Sequence, residues 1–497
     1  MLFRSNGYWS FTPTGTLSNN PSITIGRLGH TNAGLRYSSH GIIRRANASA
    51  DWEMAGIWAD NGNTLVTPAN TGNVALTQSG LTAFGEIAVA KGTGTNNAFG
   101  LWTGASNGEA ENSSNWGCGT VPTYTIDIVI PRNTTYQPTI SNSNLQAKSV
   151  TINTGATLRI TGPRTLSLAD GGYFANNGTF NSGNQSTVSF EGAGSVSGQS
   201  ASSFNNLNLN GVTTLTTVPT ITGNLQLNAG ASVTASPNYG SNAVLVYNLT
   251  NTTSTGFEWT GNGTSVAAGL PNNITVQNTG TVTLSGNRSV PGTFTLSNGV
   301  VAVGQNTLSL YGDVTVTGGS FTSGTSGTVL YNKASDGQNV PAGNYGNLTL
   351  NSFSKTLASS GTIGIAGVFT PGSGTHTTTG STISFNGTEA QSIPVFNYNN
   401  LIVAGSNTKT AAAGLTIPGN LTISGTFDAG AFTHAVAGNF INNGTFSSTG
   451  NVQFNGTSTI SGSSETSFQT LQVSGVLNAP SGNMNVRGNF MINANGT

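Results

Sequence analysis

Few residues in this chain are of the types that do chemistry, and their spacing limits what each could do. Gly104-Ala105-Ser106-Asn107-Gly108 fits the G-x-S-x-G pattern of a nucleophilic serine. That chemistry needs a strained strand-to-helix turn with His and acid partners. No helical periodicity follows the segment, so a polar loop is expected. The four histidines, His30, His40, His376 and His434, show no i, i+4 or short paired spacing of the kind that holds zinc, and turn or surface roles are expected for them. Calcium needs several carboxylates in one loop, whereas Asp127, Asp170, Asp313 and Asp428 stand alone. Proton abstraction from a polysaccharide would need a poised base and cations to stabilise the developing anion. Only 16 charged residues are spread over positions 141–497. The expectation is therefore a chain without catalytic residues, metal or cofactor. Aromatic faces can stack on sugars, which makes Trp259 beside Phe257, together with Trp52 and Trp58, the candidate carbohydrate contacts; burial in a core is the competing role for the early tryptophans.

Composition points the same way. Charged residues make up 6% of the 497, against about 25% in an ordinary soluble domain. Solubility must come from Asn, Thr, Ser and Gly. The hydrophobic fraction is 35%, and these residues alternate with polar ones, the pattern of half-buried strands rather than of disorder. Fifteen basic residues balance fifteen acidic ones, so there is no electrostatic footprint for nucleic acid or for an anionic membrane. No apolar run exceeds the five residues from Ala243 to Tyr247, far short of the roughly 18 that a spanning helix needs. Cys118 is the single cysteine and cannot form an intrachain disulfide.

Internal repeats organise most of the chain. One strand type reads Val188-Ser189-Phe190-Glu191-Gly192, Val329-Leu330-Tyr331-Asn332, Ile383-Ser384-Phe385-Asn386-Gly387 and Val452-Gln453-Phe454-Asn455-Gly456. A second follows it, anchored on Leu207, Ile274, Leu348, Leu401 and Leu471, which are 67, 74, 53 and 70 residues apart. A third begins Gly-Asn or Gly-Thr, as at Gly223-Asn224, Gly292-Thr293 and Gly419-Asn420. Apolar residues recur at period two, which places them on one strand face. Two architectures bury such a pattern: a parallel β-solenoid, in which each strand stacks on its equivalent in the next coil, or a string of β-sandwiches with antiparallel pairing through Asn-Gly turns. Variable spacing favours the solenoid, because an insertion becomes a loop without breaking the stack. A right-handed parallel β-helix over 141–497 is expected, with Asn and Thr ladders at its turns.

The first residues differ. Trp9, Trp52, Trp58 and the cluster Arg27, Arg36, Arg44 and Arg45 suit a small antiparallel β-sandwich over 1–90, ending in Phe84-Gly85-Glu86-Ile87-Ala88-Val89. Residues 91–140 read as a linker, Lys91 to Asn97, and the segment that opens the solenoid. The start lacks the basic and apolar regions of a secretory signal, which suggests a missing upstream portion. At the far end Asn439-Phe440-Ile441-Asn442-Asn443-Gly444-Thr445-Phe446 recurs as Asn489 to Thr497 and stops before its closing Phe. The expectation is an array cut within a repeat, with an open edge able to self-associate end to end.

Trp102-Thr103-Gly104, Asn115-Trp116, Val121-Pro122 and Ile128-Val129-Ile130-Pro131 resemble a segment that heads many large cell-surface proteins of Bacteroidetes. The NNGTF and FNG repeats are similar to the β-helical arrays of those proteins, and Gly80 to Glu86 resembles the closing strand of their β-sandwich modules. The resemblance implies an extracellular or cell-surface, adhesin-like protein exported by type IX secretion, a route for which a C-terminal sorting domain is expected. It implies a structural stalk that displays or spaces binding modules, with surface glycans or other cell-surface proteins as partners. A lectin-like surface protein is the alternative, and a polysaccharide-degrading β-helix enzyme a more distant one.

Overall fold

The computed structural model describes residues 8–12, 23–27, 40–49, 53–54, 74–78, 84–91 and 99–497, apart from 117–119, 133, 481 and 483. Trp52, Trp58, Cys118, His30 and nearly all of the expected linker lie outside the described residues. The described elements are β-strands, with one 3-10 turn at Ser113–Asn115. Two units divide the chain, Met1–Ala243 and Val244–Thr497.

The first unit begins with antiparallel pairing. Glu86–Lys91 lies between Trp9–Ser10 and His40–Arg45, which also pairs with Glu53–Met54. Ile23–Arg27 and Val74–Gln78 form a separate antiparallel ladder. Arg45 donates its Nε–H to the Glu86 carboxylate across the sheet. Pairing turns parallel at Phe99–Leu101, which aligns with Asp127–Ile130, itself aligned with Ser149–Ile152. From there each strand meets its equivalent one coil later. On one face Leu145, Leu166, Val188, Leu207 and Leu225 stack in register, 21, 22, 19 and 18 residues apart.

The second unit continues the pattern in its own coils. Ile363, Ile383, Leu401, Leu421, Phe440 and Ile460 stack in one column, all of them buried. Thr382–Phe385 runs parallel to Asn400–Val403, where a string of sandwiches would have required antiparallel pairing. The protein is a parallel β-solenoid with a small antiparallel sheet near its start. Each fully buried aliphatic or aromatic side chain in these columns contributes roughly 1.5–3 kcal/mol.

The three strand types that recur in the sequence are not one coil. Thr187–Phe190, Asn206–Leu209 and Asn224–Leu227 occupy the same face in three successive coils. Thr382–Phe385, Asn400–Val403 and Leu421–Ile423 do the same, as do Asn451–Phe454, Thr470–Val473 and Phe490–Ile492. The sequence repeat of 53 to 74 residues thus covers several coils of about 20 residues each.

Asparagines hold the strand starts. Asn400 Oδ1 accepts from the Asn420 N–H, Asn420 Oδ1 from the Asn439 N–H and Asn439 Oδ1 from the Thr459 N–H, at 3.0, 2.8 and 3.0 Å. The two NNGTF motifs do identical work. Asn176 and Asn442 are fully buried and cap their own turns by accepting from the Gly178 and Gly444 N–H groups. Asn177 and Asn443 reach forward to the Gln199 and Ser463 N–H groups of the next coil. A Cβ on Gly178 would lie 2.4 Å from the Asn153 and Ala156 carbonyl oxygens, so close coil stacking requires glycine here.

Candidate functional site

The G-x-S-x-G segment is a loop held in place by Asn115. That side chain is fully buried and accepts from the Ser106 and Asn107 N–H groups, while its Nδ2 donates to Asn107 Oδ1 and the Glu109 carbonyl. No α-helix follows Ser106 among the described residues, only the 3-10 turn at Ser113–Asn115. Around it, Trp102 and Trp116 meet edge to face at 5.0 Å and donate their indole N–H groups to the Tyr136 and Ala110 carbonyls. One Glu111 oxygen accepts from the successive N–H groups of Ser141, Asn142 and Ser143. These residues build the first coils.

In the second unit an insertion after Val244–Tyr247 carries the aromatic pair singled out from sequence. Trp259 is completely buried, with its indole N–H donated to the Ser289 carbonyl, so it offers no face to a sugar. Phe257 is 53% exposed. Between them Glu258 turns inward and accepts from the Tyr247 hydroxyl and the Gly256 N–H, at 2.9 and 2.7 Å. Arg288 lies nearly buried close by, and desolvation lowers its pKa while the Tyr247 and Glu258 charges oppose that shift. The buried Glu258 and Trp259 thus anchor a turn that presents Phe257 outward.

The most elaborate polar cluster occurs twice, and the sequence reading did not single it out. Gln338 pairs in register with Lys355, and Gln391 with Lys409, all four side chains pointing inward. Gln338 Nε2 donates to the Leu310 and Gly312 carbonyls at 2.9 and 2.7 Å. Gln391 Nε2 donates to the Ile365 and Gly367 carbonyls at the same two distances. Tyr345 and Tyr398 each donate to a proline carbonyl four residues back, both at 2.8 Å. The histidines belong to the same scheme. His376 Nδ1 accepts from the Lys355 N–H and its Nε2 faces the Pro371 carbonyl, and His434 Nδ1 accepts from the Leu415 N–H with Nε2 facing the Ala429 carbonyl. An acceptor at Nδ1 and a carbonyl at Nε2 fix both rings as neutral Nε2–H tautomers. Burial lowers both pKa values.

The two lysines differ. Lys409 donates to the carbonyls of Gly387, Glu389 and Asn407 at 2.8, 2.8 and 2.9 Å. Lys355 is equally buried, but no group among the described residues accepts from its Nζ. Desolvation drops its pKa to about 8, with Asp336 opposing that shift and Lys333 adding to it.

A shallow groove of about 550 Å³ crosses three coils of this unit and is lined by Thr315, Thr317, Asn339, Thr356, Ser359 and Ser360 among small apolar residues. Its hydroxyl and amide groups suit an uncharged ligand. No group of three or more His, Cys, Asp or Glu side chains poised for a metal occurs among the described residues, and no described helix is long and apolar enough to cross a membrane.

Fold and site together define a parallel β-solenoid whose inward polar residues are engaged largely with its own backbone. Residues 101–200, the Trp102–Trp116 turn and the first coils, match a family described as a domain of unknown function (DUF8693). No curated protein and no solved structure matches the chain.

Proposed function

We propose that this protein is a non-catalytic structural element of an extracellular surface, a stalk that spaces or displays binding modules. One observation carries the reading: Lys355 apart, the inward Gln, Lys and His side chains of the second unit join one coil to the next. Gln338, Gln391, Lys409, His376 and His434 all bond backbone groups of neighbouring coils. Each rung adds about 4.8 Å along the stack, so the coils build length cheaply. Pulling on the full chain tests this. A coil of about 20 residues releases roughly 65 Å when it unravels, and the stalk reading expects discrete steps near that size. Turnover of a polysaccharide, abolished by one substitution, would overturn it.

A lectin-like reading is favoured by Phe257 on its anchored turn and by the uncharged groove. Surface glycans would be the ligands. A glycan array probed with the full chain and with Phe257→Ala separates the two: selective binding lost in the variant supports the lectin.

A further inference from the structure

Nine Asn-Gly pairs lie among the described residues: 107–108, 177–178, 210–211, 262–263, 298–299, 386–387, 443–444, 455–456 and 495–496. This dipeptide is the one most prone to cyclise, because a glycine leaves the following backbone nitrogen unhindered. Most pairs here are held apart. Gly178 and Gly444 donate their N–H groups to Asn176 and Asn442, one residue before the asparagine of the pair. Gly387 donates to Gln391, Gly263 to Ser289 and Gly496 to the Asn493 carbonyl. Asn210 is held by the Phe190 carbonyl and by Asn228, and Asn107 is turned toward Glu109 and Asn115.

Asn298–Gly299 is different. The Gly299 nitrogen lies 2.8 Å from the Oδ1 of Asn298 itself. Since a carbonyl bond is about 1.2 Å long, that nitrogen is within about 4 Å of Cγ, the carbon it would attack. The pair sits within Phe294–Gly304, where the parallel register shifts beside Gln277, and the Asn298 side chain is exposed to water. The backbone at the second position of the pair is set by close packing. Gly299 has a φ of +76°, and a Cβ there would lie 2.5 Å from the Asn278 carbonyl oxygen, so the position demands glycine.

We propose that Asn298 is a self-modification site, converted with water alone to aspartate and isoaspartate. Solvent base removes the Gly299 amide proton, and the nitrogen attacks Asn298 Cγ. The N–Cγ bond forms, the Cγ–Nδ2 bond breaks, and Nδ2 leaves as ammonia after taking up a proton. Water then opens the resulting succinimide at either carbonyl. One product adds a negative charge to a sparsely charged surface. The other also adds a methylene to the main chain at the register shift, which loosens that coil.

Incubation of the full-length protein at neutral and mildly alkaline pH, followed by peptide mapping, tests the assignment. The peptide containing Asn298 should gain about 1 Da through an intermediate about 17 Da lighter. Conversion should quicken with pH and run about tenfold or more faster than at Asn177, Asn386 and Asn443, as preset geometry demands. Asn298→Gln, which must close a larger ring while keeping the amide, should abolish the change at that peptide without altering the circular dichroism spectrum. Gly299→Ala is a poorer control because of the backbone strain. An intact Asn298, or equal conversion at the three comparison sites, would overturn the proposal.

Discussion

Residues 331–357 and 385–411 are the same device built twice, and they part company at one ammonium group. Both copies bury a glutamine that ties its own coil to the preceding one and a tyrosine that closes on a proline carbonyl. In the second, three carbonyls replace the water around Lys409. In the first, the carbonyl of Lys333 accepts from Asn351 Nδ2 instead, and Lys355 is left without an acceptor among the described residues. Burial of a charge is tolerable only when its hydration is replaced. Identical burial therefore has opposite consequences: one lysine clamps coils together and the other opposes their closure.

The largest expected effect tests this contrast directly. Lys409→Met strands three carbonyls in the interior and should destabilise the second unit by about 3 kcal/mol. Lys355→Met removes an uncompensated charge and should be neutral or stabilising. Denaturant unfolding of the two variants measures the difference, and equal losses would break the comparison. A smaller effect lies in the pH dependence. Lys355 titrates near 8 when folded and at 10.5 when unfolded. Between those values the unfolded chain holds the extra proton, so this contribution to stability should be complete above pH 10.5, decline as pH falls toward the folded value near 8, and be level below it. Lys355→Met should flatten that slope. The histidine pKa values are also lowered on folding, so stability is complete above about 6.5 and is lost as pH falls through the folded values. Protonated Nδ1 would face an N–H donor, and His434→Gln should blunt the acid loss. The charges facing His376 are those of Lys355, with Lys333 and Asp336 beyond it. The smallest effect concerns Tyr331, whose hydroxyl meets that of Tyr345 at 2.9 Å where the second copy has Phe385. Tyr331→Phe makes the copies alike and should cost about 1 kcal/mol or less, because Tyr345 keeps its bond to Pro341.

Much of this architecture was legible because period-two alternation fixes which residues point inward, as Leu207, Leu348 and Leu401 do. Coil length was harder to read. The recurring triplet Val188, Leu207 and Leu225 looks like one unit in sequence, yet consecutive members stack directly. Sequence similarity reports a duplicated block, whereas the coil is set by where the backbone closes. The Gln-Lys-His cluster carried a usable signal that composition hid. The 53-residue offset from Leu348 to Leu401 also superposes Gln338 on Gln391, Pro341 on Pro394 and Tyr345 on Tyr398. Inward lysines escape a hydrophobic pattern because they break it. Trp259 shows the opposite difficulty: an aromatic in a long insertion suggests a ligand platform, but it is buried and its indole N–H is donated to the carbonyl of Ser289, thirty residues away.

The asparagine ladder from Asn400 through Asn420 and Asn439 to Thr459 has a consequence for inheritance. Along these rungs each coil presents the next with the same side-chain oxygen at the same strand start, so these successive seams are alike. A duplication or deletion spanning whole coils rejoins the ladder without new contacts having to be invented. On the stalk reading proposed above, the reach of the protein would then be set by the number of such coils.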